Sequence, residues 1–106
     1  LQTEEVILVM TDNKNRLICD RVLSKGTVNC SLMSPREVFL VALEYHAVHI
    51  LLIHNHPSGD AAPSRQDIEI TEHLARLCDM MQLPLLDHII VGDGCYVSFK
   101  ESGLLK

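Results

Sequence analysis

Apolar and polar positions divide this chain into seven segments. Val6 to Met10 is apolar and rich in β-branched residues, which predicts a strand. Asp12-Asn13-Lys14-Asn15 reads as a turn, because Asn and Asp tolerate left-handed backbone and bond to their own main chain. Arg16 to Leu23 reads as a second strand, forming a hairpin with the first that closes at Lys25-Gly26. Ser34-Pro35-Arg36-Glu37 signals a helix start: Ser34 can cap, Pro35 suits the first helical position and Glu37 completes a capping box. Val38, Val41, Ala42 and Tyr45 follow at helical spacing, with the end expected near Ala47. His49 to His54 then reads as a buried strand, and so nearly continuous an apolar run suits the centre of a sheet covered on both faces. Asn55 to Pro63 is a loop. Ser64 caps a second helix, in which Ile70, Leu74, Leu77, Cys78 and Met81 keep the 3.6 period until Pro84 stops it. Leu85 to Val91 is a strand, Gly92-Asp93-Gly94 a hairpin turn and Cys95 to Phe99 the last strand.

The resulting order is β-β-α-β-α-β-β. Strand–helix alternation in the middle implies parallel pairing there, with hairpins at both ends. The expected fold class is therefore α/β (α+β), a mixed β-sheet flanked by helices.

Composition narrows the field. With 106 residues the chain fits a single domain, 1–106, and its abrupt start at a strand suggests a domain excised from something longer. It has no Trp, two Phe and two Tyr, so a core drawn from its 47% apolar residues must be aliphatic. No apolar run approaches the ~20 residues of a membrane span, and Leu1-Gln2-Thr3-Glu4-Glu5 has no basic stretch ahead of an apolar one. The expectation is a cytoplasmic protein with no membrane partner. A net charge of −5 disfavours direct nucleic-acid binding by this segment, although a neighbouring domain could supply it. Cys19, Cys30, Cys78 and Cys95 form no CxxC pair, and are expected to be mostly buried apolar residues in a reducing compartment.

The segment with chemistry runs from His54 to Asp67. Alternate residues on a strand share a face, so His54 and His56 can aim two imidazoles at one point. The Pro- and Gly-containing loop can fold the next helix start back over the strand end, where Asp67 would supply an oxygen as third ligand. Three protein ligands leave a fourth position for water, as in a catalytic zinc site. Each residue alone has a plainer explanation. Asp67 could be only the N3 partner of Ser64, Ser64 only a cap, the histidines structural, and Glu4 and Glu5 solvated edge charges. None of these explains why all occur together at one spacing.

His-x-His, seven residues, Ser, two residues, Asp resembles the JAMM signature of JAB/MPN metalloproteases. The surroundings His54-Asn55-His56-Pro57-Ser58-Gly59-Asp60, Pro63 to Asp67 and Asp87 to Gly94 resemble the RadC family in particular, over essentially residues 4–100. The resemblance implies a JAB/MPN (cytidine-deaminase-like) architecture, here as the C-terminal domain of a longer protein. It implies zinc held by His54, His56 and Asp67, with Ser64 helping to stabilise an oxyanion. It also implies an upstream Glu as general acid/base, placed eight residues before the Asp of the hairpin turn. Counting back from Asp12 gives Glu4, with Glu5 as the fallback.

The implied function is zinc-dependent hydrolysis of an amide or isopeptide bond in a peptide or protein substrate. Two rivals stand beside it. One is a protein-interaction or regulatory module. The other is a DNA-processing role, suggested by the association of the RadC name with DNA repair. An HNH nuclease is disfavoured because that motif is not contiguous. A zinc deaminase would need His-x-Glu, where this chain reads His54-Asn55-His56, and a later Pro-Cys-x-x-Cys, which is missing. His73 is expected on a solvated helix face, and His88 could orient something near the site.

Overall fold

A computed structural model describes residues 4–26 and 34–105, without the side chains of residues 4 and 24–26. The elements are β1 (Glu4–Thr11), β2 (Leu17–Gly26), α1 (Pro35–Glu44), β3 (His49–Asn55), α2 (Arg65–Met80), β4 (Leu85–Val91) and β5 (Tyr96–Ser98). They build one mixed five-stranded sheet in the order β2-β1-β3-β4-β5. The β3–β4 pair is parallel, as the intervening helix requires, and the other pairs are antiparallel. Cys30 lies outside the described residues.

Strict alternation sorts the sheet into two unlike faces. The pairs Val6↔His54, Leu8↔Leu52, Met10↔Ile50, Leu52↔His88 and His54↔Ile90 place these residues on one face, where all are buried. Val38 and Ala42 of α1 and Leu74 and Cys78 of α2 join the same core. Arg21, opposite Leu8, hydrogen-bonds the Tyr45 hydroxyl at the end of α1. Both helices therefore cover this face. The other face, with Ile7, Val9, Leu51, Ile53 and Ile89, is only half-buried. This corrects the expectation of a β3 covered on both sides: its burial alternates, complete on one side and partial on the other.

Other differences are local. β2 runs through Lys25-Gly26, which pair with Glu5 and Glu4 rather than forming a turn. α1 ends at Glu44, because His46 takes a left-handed φ of 55° and the Ala47 N–H turns back to the Ala42 carbonyl. Its capping box does not form: the Ser34 side chain accepts from Arg36 N–H, not from Glu37. On α2 the buried stripe is Asp67, Thr71, Leu74 and Cys78, while Leu77 is half-buried and Met81 exposed. Among the cysteines Cys95 is exposed, against expectation, whereas burial pushes the Cys78 thiol up to about 12 and leaves it an inert apolar group.

Candidate metal centre

β3 and α2 deliver the three candidate ligands to one place. His54 is the last fully buried residue of β3, at the carboxyl end of the parallel pair, where open α/β sheets place ligands. His56 lies just beyond the strand, and its N–H donates to the Val91 carbonyl at 2.9 Å, so the β3–β4 ladder continues into the loop. Asp67 occupies the third position of α2 and is only 4% exposed. Its Oδ2 lies 3.2 Å from His56 Nε2, and its Oδ1 lies 3.9 Å from His54 Nδ1.

These residues form a group that could hold a metal ion, with one ligand atom from each and all three atoms within 4.8 Å of one another. A tetrahedral ion with bonds of about 2.0–2.1 Å sets its ligands roughly 3.3 Å apart. The observed separations straddle that value, so modest side-chain adjustment would close the site. Two neutral imidazoles and one carboxylate suit a borderline cation such as zinc.

Hydrogen bonds orient the ligands. His56 Nδ1 is 3.0 Å from the Asp60 carbonyl oxygen, which can only accept. Nδ1 therefore carries a proton, which leaves Nε2, the nitrogen beside Asp67, as the atom that would bind an ion. The Ser64 N–H donates to Asp67 Oδ2 at 2.8 Å, and the Asp67 N–H donates to Ser64 Oγ at 3.0 Å. Asp67 is thus both the capping-box partner and a member of the metal group. The two roles coexist because a carboxylate has two oxygens and about four lone pairs. Ser64 Oγ only accepts in the box, so its own O–H proton remains available to a bound molecule.

The loop from His56 to Pro63 is held against the β4–β5 connection. The Asp93 N–H donates to the Gly59 carbonyl at 2.9 Å. A Cβ at Gly92 would stand 2.3 Å from that same oxygen, so only glycine permits this approach. The loop and hairpin enclose a cavity of about 310 Å³ beside His56, lined by Asn55, Pro57, Ser58, Gly59, Gly92 and Asp93 among others. A larger groove of about 700 Å³ lies on the half-buried sheet face around Ile89 and Tyr96 and touches none of the three ligands. The smaller cavity is the one with chemistry beside it.

The two glutamates separate by strand parity. Val6 pairs with His54, so Glu5 belongs to the opposite face, where its N–H donates to Asn55 Oδ1. Position 4 shares the parity of Val6 and pairs with Gly26 on β2. The Glu4 side chain lies outside the described residues.

His73 is exposed, as expected. His88 is fully buried on the site face, and the Thr71 hydroxyl lies 2.6 Å from its Nδ1. Burial, with the neighbouring His54 adding, pushes its pKa down to about 4, so it is neutral at pH 7. The sequence alone singles out no role for Thr71, and offers Asp60 and Gly92 only as loop and hairpin-turn residues. Thr71 alone had a usable signal, since it falls four residues after Asp67 and shares its helix face.

A RadC-like JAB domain family model matches residues 1–104. Among curated relatives, a UPF0758 protein of Methanosarcina mazei is 45% identical over 103 residues, covering 97% of this chain and 45% of the relative. A UPF0758 protein of Trichlorobacter lovleyi is 48% identical over 102 residues, covering 96% of this chain and 44% of its own length. One from Methanococcoides burtonii is 45% identical over 106 residues, covering 100% and 46%. The chain thus spans somewhat under half the length of the relatives it matches, and their names state no activity. Among the described residues no helix is long and apolar enough to cross a membrane.

Proposed function

The chain belongs to the RadC-like JAB domain family, and from that premise we propose that it is a zinc-dependent metallopeptidase or isopeptidase-like hydrolase of peptide or protein substrates. The observation that carries this reading is the buried group of His54, His56 and Asp67 beside a small polar cavity. An ion held there would lower the pKa of a bound water towards ~7 and polarise a scissile carbonyl.

The remaining steps fall to side chains. Glu4, at the parity of Val6, is the general base that takes the water proton and passes it to the leaving amine. Ser64 directs its O–H to the developing oxyanion while Asp67 N–H occupies one of its lone pairs. His56 and Asp67 stay fixed through Asp60 and the Ser64 amide. The net charge of −5 favours a peptide over a nucleic acid as direct substrate and leaves DNA repair as an indirect association. The same reading places the protein in the cytoplasm. A second reading, an interaction or regulatory module, draws on the half-buried sheet face, whose rim exposes Val22 by 51% and Tyr96 by 60%.

Glu4→Gln separates the two readings. The variant should bind zinc like the wild type and lose turnover of a peptide library by about 10²-fold or more, the low end of what a positioned acid–base group contributes. Undiminished turnover would remove Glu4 from the mechanism. No turnover by the zinc-loaded wild type would favour the interaction module.

A further inference from the structure

β4 holds a histidine that the proposed chemistry does not use. His88 is 0% exposed and opposes Leu52, two residues before His54 on the same face of β3. It therefore sits one layer beneath the ligand His54. Its partner Thr71 is 1% exposed and sits one helical turn beneath the ligand Asp67. The structure thus repeats one arrangement at two depths. At the upper level, His54 of the sheet faces Asp67 of α2 across 3.9 Å. Below it, His88 meets Thr71 at 2.6 Å, and that gap is already closed by a hydrogen bond.

The two layers touch. The His88 ring stacks on His54 with centroids 5.8 Å apart and planes 28° apart. On its other side it stacks on Phe99 at 4.6 Å and 20°. Phe99 is held in turn, because its N–H donates to the His88 carbonyl and Asp87 ties β4 to Ser98 and to the Lys100 N–H. A hydrophobic residue would fill this position at less cost, since His88 Nε2 has no hydrogen-bond partner among the described residues. A buried imidazole whose second nitrogen is unsatisfied is poor core material, so its presence here calls for a role.

We propose that His88 is a positioning residue for the metal group: its bond to Thr71 sets the distance between α2 and the sheet, and its ring fixes the plane of His54. The proposal rests on the metal-site reading above. A phenylalanine at 88 would keep the ring stack and lose the bond. The helix-to-sheet distance would then be free to relax at the level where Asp67 must meet the histidines.

The test titrates Co²⁺ into the metal-free wild type, Thr71→Ser, Thr71→Val, and the double variant Thr71→Val/His88→Phe. Each is also melted without metal. Removing both polar partners together leaves no orphaned group, so the double variant should melt near the wild type. Its Co²⁺ affinity should nevertheless fall on the order of tenfold or more, as losing an outer partner of a ligand typically does, with a changed visible absorption band. Thr71→Ser keeps the hydroxyl and should bind like the wild type, whereas Thr71→Val should not. If Thr71→Val and the double variant match the wild type in affinity and spectrum, His88 is packing alone and the proposal is wrong. If the wild type binds no Co²⁺ and no zinc, the metal-site reading fails first and takes this proposal with it.

Discussion

The two helices open with the same grammar, a serine followed three residues later by an acid, and they end up unlike. At α1 the Ser34 side chain accepts from Arg36 N–H while Glu37 stays exposed and takes no part in a box. At α2 Ser64 and Asp67 bond reciprocally, and the carboxylate, 4% exposed, also faces two histidines. The sequence signal for a helix start is thus identical in kind and silent about depth. The depth of Asp67 comes from the chain before its cap. α2 is delivered by a loop that β4 and its hairpin hold over the end of β3, so its first turn lands on the carboxyl end of the parallel pair. A cap becomes a candidate ligand when tertiary structure buries it beside two histidines.

Exchanging either acid should break this contrast most sharply. Asp67→Ala should lower metal affinity by more than the roughly 100-fold that losing an outer-shell partner can cost, and lose about 1 kcal/mol of stability with its cap. Asp67→Asn keeps an acceptor for the Ser64 N–H and should recover most of that stability without recovering the metal. Glu37→Ala should change neither. Metal titration and thermal melts of the three variants decide it, and metal loss in Glu37→Ala would dissolve the distinction.

The serines come next. Ser34→Ala and Ser64→Ala should each destabilise by about 1 kcal/mol. Only Ser64→Ala should also slow hydrolysis, on the order of 10²-fold as for a lost oxyanion donor, with metal content kept. Equal turnover in the two variants would reduce Ser64 to a cap.

A smaller effect tests the loop. Gly92→Ala forces a Cβ against the Gly59 oxygen, so the loop carrying His56 must shift. We expect about 1–3 kcal/mol of destabilisation and a weakened metal affinity, measured by the same titration. Intact affinity would mean that His56 is placed without the hairpin.

Much of this is legible in the sequence. Apolar runs bounded by turn residues located the strands, and the 3.6-residue period with its caps located the helices. The trio His54, His56 and Asp67 was legible because metal chemistry demands particular side chains, and strand parity plus a returning loop brings them together. The depth of polar residues was not legible. Thr71 and Asp67 replace apolar residues on the buried stripe of α2, so the apolar pattern pointed a little off, toward Leu77 and Met81. The placement of His88 beneath His54 depends on the β3–β4 register, which pairs residues 36 apart and leaves no local trace. Strand ends were missed where pairing decides them: β2 persists to Gly26 because β1 offers Glu4 and Glu5 as partners. Covering both helices on one face was likewise a tertiary choice, invisible in an apolar run such as Ile50 to Ile53.

The central claim is that His54, His56 and Asp67 hold a metal ion. Its most direct test is elemental analysis of zinc per chain after reconstitution at neutral pH, for the wild type and for His54→Ala/His56→Ala. The account predicts about one zinc in the wild type and almost none in the double variant, as three protein ligands and an open position require. No zinc in the wild type, or equal zinc in both, would contradict it.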